Sequence, residues 1–396
     1  MKDFHSGRSP GVSGKVLVVA NPLAGRVSGR VLLDNGIRDS KHPLLSELYE
    51  MLNRGGTEVS IVEETTAESM ASVVELYVSS SIESENTYDA VMVVGGDGTV
   101  SVVAGVLARV GTPYPLGSST VVRVPSDHLT VAGAPTDSSI PPGSPTVAGI
   151  STGSPTSLSP PTDSSLIPPL LVIPGGTGNS FYKAVWGDMN WKDVVSSLLN
   201  ESMGRAIDED INGVGVRYID LGWIDELNTT FILGASAGIF RHILMEATHM
   251  TSIPGRERYQ KAAMEVLNAV ELFEAEIRVD GSVLAAGRFV LVAVGGARYR
   301  GGILPILPLS ELNDGLLDVC AVSAQRREDA MSALLQVASG EHIGQPGIFY
   351  SKGSTVEVSS EKALPLEYDG EICSQELYDC HLKILQGVLP VISVPN

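Results

Sequence analysis

The stretch Val91-Met92-Val93-Val94-Gly95-Gly96-Asp97-Gly98-Thr99 constrains this chain more than any other. Four apolar residues, three of them β-branched, read as a buried strand. The adjacent glycines then demand a tight turn in which backbone approaches its surroundings closely. Thr99 is placed to cap a helix over Val100 to Val110. A strand that enters a helix through glycines presents unpaired N–H groups, and the helix dipole adds to their pull on a phosphate. Asp97 sits at the mouth of the turn, where a carboxylate can hold Mg²⁺ or accept a proton. The same residues also fit a plain strand-to-helix connection in which glycine serves geometry alone.

Similar units flank it. Lys15 to Ala20 is an apolar strand that runs into Asn21-Pro22-Leu23-Ala24-Gly25. Leu44 to Asn53 has helical apolar spacing, Glu58 to Val62 reads as a strand, and Thr65 and Thr66 precede a helical pattern over Ala67 to Ser80. This alternation predicts an α/β fold with a parallel sheet covered by helices. Ligands of such sheets bind beyond the carboxyl ends of the strands. From Gly111 to Pro169 the composition turns to Pro, Ser, Thr and Gly, and the pentapeptide at 135–139 recurs at 161–165. So few apolar side chains cannot offset the entropy of ordering a backbone, so a disordered insertion is expected.

Leu170 to Ile173 is again an apolar strand, leading into Pro174-Gly175-Gly176-Thr177-Gly178-Asn179-Ser180-Phe181. Two glycine turns in one parallel sheet can converge on one polyphosphate. Neither contains GxxxxGK[ST] or GxGxxG, which argues against a P-loop grip and against a dinucleotide-binding oxidoreductase. Beyond Gly204 the pattern becomes β-rich: Val214–Leu221, Thr229–Ala235, Glu276–Val279, Arg288–Val294, Leu316–Val322, Thr355–Val358 and Leu366–Tyr368 read as strands. Helices are expected over Arg258–Phe273 and 327–339, and Asp280-Gly281 as a hairpin turn. A mostly antiparallel lobe of sandwich type follows. Its last strand runs into Asp369-Gly370-Glu371, where two carboxylates can project into a cleft or a solvated turn.

Formal net charge is −19, which excludes a nucleic-acid partner in the usual cationic mode and disfavours electrostatic docking on anionic membranes. Cys320, Cys373 and Cys380 form neither a disulfide framework nor a metal pattern. Residues 1–15 lack the features of a signal or transit peptide, and no apolar run is long enough to span a bilayer. The expectation is a soluble, cytoplasmic protein.

NPLAG at 21–25, GGDGT at 95–99, PGGTGNSF at 174–181, NDGLLDV at 313–319 and DGE at 369–371 stand in the order found in the diacylglycerol kinase catalytic-domain family. IDLGWIDELNTTFILGASAGIF at 219–240 and GGARYRGG at 295–302 add to the resemblance, which runs from about residue 15 to the end. It implies an ATP-binding lobe over 12–110 and 169–203, the insertion at 111–168, and a lipid-binding β-sandwich lobe over 204–372. The segment 373–396 would return to the first lobe, with the active site between the two.

By the resemblance, nucleotide contacts fall on Asn21, Thr65, Gly95, Gly96, Asp97, Gly98, Thr99, Gly176 and Thr177. Arg258 matches an arginine that reaches the ATP phosphates, although an ordinary surface arginine fits its position equally. Asp314 matches a carboxylate that holds a structural Mg²⁺ in bacterial members. Asp97 and Asp369 are candidate Mg²⁺ partners. For the base that accepts the hydroxyl proton the family offers two assignments, Glu371 and Asp97, and Glu371 is favoured here. Ser180 departs from the aspartate common at its position, and NPLAG lacks the basic and glycine residues usual after it, with Arg26 and Arg30 as compensation. No acid precedes Glu246 after ASAGIF, which disfavours an amino-lipid. The expected function is an ATP- and Mg²⁺-dependent kinase for a hydroxyl of a neutral lipid such as diacylglycerol, touching membranes only transiently. The alternatives are a sphingoid-base or ceramide kinase and a silent nucleotide or lipid sensor. Ile303 to Leu307 could line an acyl channel or lie in the core.

Overall fold

A computed structural model describes residues 14–24, 31–33, 36–38, 43–84, 86–111, 167–200, 215–250, 252–253 and 255–394. Gly25, Arg26, Arg30 and nearly all of the expected insertion lie outside these residues. The first half contains β1 (Lys15–Ala20), the short pair β2 (Val31–Leu33) and β3 (Gly36–Arg38), α1 (Pro43–Arg54), β4 (Glu58–Glu63), α2 (Ala67–Glu83), β5 (Ala90–Gly95), α3 (Asp97–Gly111), β6 (Leu170–Pro174), α4 (Ser180–Trp186) and α5 (Trp191–Asn200). Four of these strands form a parallel sheet in the order β6-β5-β1-β4. The apolar runs explain the order: β5 is buried along its whole length, and β1 along all but its first residue. A strand covered on both faces has no place at a sheet edge. β4, with alternating polar residues and an exposed Glu58, takes the edge.

One helix start differs from expectation and one agrees with it. α3 begins at Asp97, so Thr99 lies inside the first turn, where it is buried against Gly95. The cap of α2 is Thr66, whose Oγ1 accepts the Ser69 N–H at 3.2 Å.

The second half contains β7 (Gly215–Ile224), β8 (Thr229–Phe231), β9 (Ala235–Gly238), α6 (Ile239–His249), α7 (Gly255–Asn268), β10 (Phe273–Val279), β11 (Ser282–Gly295), β12 (Leu317–Ser323), α8 (Arg327–Ser339), β13 (Ile348–Gly353), β14 (Thr355–Ser359), β15 (Leu366–Tyr368), β16 (Glu371–Ile372) and β17 (Asp379–Ser393). Pairing is antiparallel among these strands. Asp280 and Gly281 turn the β10–β11 hairpin with positive φ at both residues, as a tight two-residue loop requires. The helix expected over 258–273 is α7, which ends at Asn268, and Phe273 instead opens β10. β17 pairs with β14 and β7 and meets β6 at Val391, so one strand belongs to both halves of the sheet.

The apolar core divides accordingly. One cluster packs the parallel sheet against its helices. A second fills the space around Ile277, Phe289 and Leu317, and a third lies beneath α6, α7 and α8. Fully burying one such side chain stabilises the fold by about 1.5–3 kcal/mol. Ile306 and Leu307 are in the third cluster, while Ile303 is exposed. Among the described residues no helix is long and apolar enough to cross a membrane.

Candidate active site

The parallel strands deliver four of the expected positions to one edge of the sheet. Asn21 follows β1, Thr65 follows β4 by two residues, Gly96 follows β5 and Gly175-Gly176 follow β6. Asn21 is fixed by its own turn, with Oδ1 accepting the Leu23 N–H at 2.9 Å. Thr65 is exposed.

The two glycine turns touch. The Gly175 N–H donates to the Gly95 carbonyl at 2.9 Å. A Cβ on Gly176 would lie 2.2 Å from Gly96 Cα, and one on Gly96 would lie 3.1 Å from Gly176 Cα. Only backbone fits between them, which accounts for glycine at both positions. Asn179, in the left-handed region at φ 52°, clamps the second turn from within: its Oδ1 accepts the Gly176 N–H and its Nδ2 donates to the Gly176 carbonyl. Thr177 sits at the bend of this turn.

Asp97 binds the two turns together. Oδ2 accepts the Ser180 N–H and Oδ1 the Phe181 N–H, each at 3.0 Å. Burial pushes its carboxyl above the usual range, against the pull of these hydrogen bonds, and the Asp369 charge adds to the rise. The departure at Ser180 has a local reason: its Oγ accepts the Gly302 N–H at 2.9 Å. An aspartate there would put a second carboxylate beside Asp97.

Asp369 and Glu371 lie on the hairpin of β15 and β16 and differ sharply. Asp369 is 5% exposed and adopts φ 47°. Its Oδ2 accepts the Ile232 N–H at 2.7 Å and the Ser101 hydroxyl at 2.5 Å. Its Oδ1 accepts the Leu233 and Gly234 N–H groups at 2.8 and 3.0 Å. Those four donors match the roughly four lone-pair positions of a carboxylate. Glu371 has no hydrogen-bond partner among the described residues, is reachable from solvent, and points toward α3, with Oε1 3.7 Å from where a Gly98 Cβ would stand. The surrounding protein, and then the Asp369 charge, hold its carboxyl above the ordinary glutamate range.

Other expected positions fall elsewhere. Asp314 accepts the Lys352 ammonium at 2.8 Å, and the same Nζ is 3.3 Å from Asp318, which is fully buried. An ammonium stands where a structural cation would, so the donors at Asp314 do not fit a Mg²⁺ ion. Arg258 is on α7 with its guanidinium 5.2 Å from the Tyr259 ring centroid and its Nε buried without a hydrogen-bond partner, and among the described residues no hydrogen bond or ion pair joins it to either glycine turn. The described residues hold no group of three or more His, Cys, Asp or Glu side chains arranged for a metal. Asp97, with one N–H at each oxygen, retains lone pairs that could hold a cation, and Asp369 does not. Ser101, Arg300 and Lys183 were not legible as site residues, because only the fold brings them to the turns.

The architecture is a mixed α/β one, in which a parallel-sheet lobe with paired glycine turns is joined to an antiparallel lobe that contributes a carboxylate hairpin. Residues 15–119 match the diacylglycerol kinase catalytic domain, and residues 234–392 match the YegS C-terminal NAD kinase beta sandwich-like domain. In sequence the chain is similar to the diacylglycerol kinase catalytic-domain family over its first part and to the YegS C-terminal domain over its second. Diacylglycerol kinase of Bacillus subtilis (strain 168) is 30% identical over 205 residues, covering 52% of this chain and 63% of that protein. Diacylglycerol kinase of Staphylococcus carnosus (strain TM300) is 26% identical over 210 residues, covering the same shares. These matches span less than two thirds of either relative. In fold, the chain is similar to a diacylglycerol kinase from Bacillus anthracis str. Sterne, with a TM-score of 0.55, 19% identity, and coverage of 97% of this chain and 98% of that one.

Proposed function

We propose that this protein transfers the γ-phosphoryl group of ATP to a hydroxyl of a neutral lipid such as diacylglycerol. The observation that carries the reading is Glu371, an unpartnered carboxylate of raised proton affinity facing the N-terminus of α3 beside the paired glycine turns. Phosphoryl transfer asks little covalent work of a protein; it needs positioned donors around the migrating group and a base near the acceptor. Backbone N–H groups at Gly96 to Thr99 supply donors, and Asn21, Thr65 and Thr177 stand on the same sheet edge. Asp97 is the residue that would hold an ATP-bound Mg²⁺, which would neutralise phosphate charge there. Glu371 takes the proton from the attacking hydroxyl, and Asp369 keeps the hairpin in place rather than serving the metal. In this reading residues 12–110 and 169–203 hold the nucleotide and 204–372 hold the lipid.

A cavity of about 700 Å³ opens two residues beyond Glu371, at Cys373, and Leu272, Phe273, Leu364 and Pro365 on its wall suit an acyl chain. Glu271 and Glu274 on the same wall favour a second reading, a sphingoid base held by its amine. Incubation with labelled ATP and separate micelles of diacylglycerol, ceramide and sphingosine distinguishes them. Label on diacylglycerol is expected. Label on sphingosine alone would establish the second reading, and label on no lipid would remove both and leave a silent sensor.

A further inference from the structure

We propose that Arg300 is a positioning residue for the Glu371 turn, the working end of a strut, Tyr299 to Gly302, that ties the hairpin of β15 and β16 to the glycine turn after β6. Arg300 is 8% exposed, with Nη1 3.9 Å from Asp369 Oδ1. Its Nε and Nη2 are buried without a hydrogen-bond partner. Such burial of a guanidinium is costly unless charge compensates it. Compensation comes from Asp369 and from Glu367, which is 3% exposed. Burial pushes the Glu367 carboxyl up, and the Arg300 charge is the largest influence opposing it. Glu367 in turn holds the hairpin: Oε2 accepts the Gly370 N–H at 3.1 Å and Oε1 accepts the Ser236 hydroxyl at 2.5 Å. Space for the guanidinium exists because residue 234 is glycine; a Cβ there would stand 2.6 Å from Nη2.

The other end of the strut grips the nucleotide side. The Gly302 N–H donates to Ser180 Oγ at 2.9 Å, and its carbonyl accepts Lys183 Nζ at 3.3 Å. A Cβ on Gly302 would lie 2.1 Å from the Gly178 carbonyl oxygen. Lys183 also sits over the Tyr299 ring, 4.3 Å from its centroid. Four consecutive residues therefore fix the distance between the second glycine turn and the carboxylate hairpin.

Arg300→Met removes the charge while keeping much of the volume. Hydrogen exchange read on the intact protein should rise at amides 232–234, which Asp369 holds, and at 369–371, with β1 and β5 unchanged. Lys183→Met, which touches neither acid, should raise exchange at 369–371 to a smaller degree and serves if the first variant folds poorly. The kinetic arm rests on the reading of Glu371 as base. Without Arg300 the hairpin that presents Glu371 loosens, so the loss should fall on turnover and not on nucleotide binding. kcat should fall about tenfold or more, KM for ATP should stay within about twofold, and Arg300→Lys should recover most of kcat. Wild-type exchange at 369–371 in both methionine variants, or a wild-type kcat in Arg300→Met, would overturn the proposal. If the wild type turns over no lipid, the lipid-kinase reading fails, and the exchange arm still decides the strut.

Discussion

At the scale of single residues, three carboxylates that look alike in sequence have different work. Asp97 is engaged with two backbone N–H groups, Asp369 with four donors, and Glu371 with none. Asp97→Ala therefore removes two charge-assisted bonds and should lower stability by about 1.5–3 kcal/mol in chemical denaturation. Glu371→Gln, which breaks no side-chain hydrogen bond, should not lower the denaturation midpoint. A base works ionised, so with its carboxyl held above the ordinary range Glu371 should give a rate that falls as pH drops through a value above 4.5; a pH–rate profile reads this directly. Lys352 satisfies Asp314 and Asp318, so the melting temperature without nucleotide should not respond to EDTA. Lys352→Ala should cost about 1–3 kcal/mol by leaving buried Asp318 without its cation. A melting temperature that drops in EDTA would show a metal in this cluster after all.

At the scale of elements, the glycine turns are a fitted backbone pair. Gly176→Ala cannot keep the 2.2 Å approach to Gly96 and should cost about 1–3 kcal/mol and weaken ATP binding, measured by melting and by calorimetry. Gly296→Ala meets nothing within 4 Å and is the neutral control. β1, β5 and β6 were readable because strands buried on both faces are unbroken apolar runs, and the turns after them because glycine there has few substitutes. α6 was not, since ASAGIF reads as strand running on, and its first residue packs into a core that the local sequence does not reveal. β17 escaped for a different reason: Gly387, at φ 61°, and the register shift between Leu385 and Leu389 break its alternation. DGE was legible as paired acids, but which one is free depends on the amides of 232–234, supplied from far along the chain. Arg300 was invisible for the same reason.

At the scale of the whole molecule, several acids sit where burial raises them: Asp97, Asp220, Asp318, Glu367 and Glu371. An acid whose folded pKa is raised contributes stability below its unfolded value and loses it as pH rises through the folded value. His381, raised chiefly by its hydrogen bond to Glu226, acts in the same direction, while His242 and His342, lowered by burial, oppose it below about 6.5. Self-repulsion at a net charge of −19 adds to the first group. The melting temperature should therefore be higher at pH 6.5 than at pH 8.5, and the reverse order would contradict this balance of charges. The proposed function divides labour between lobes, with triphosphate on the paired turns and the proton acceptor on the opposing hairpin. Single-turnover transfer from labelled ATP to the accepted lipid, compared between wild type and Glu371→Gln, tests that division most directly. The account predicts a fall of about 10²-fold or more in the transfer rate with ATP affinity within about twofold; transfer at the wild-type rate would contradict it.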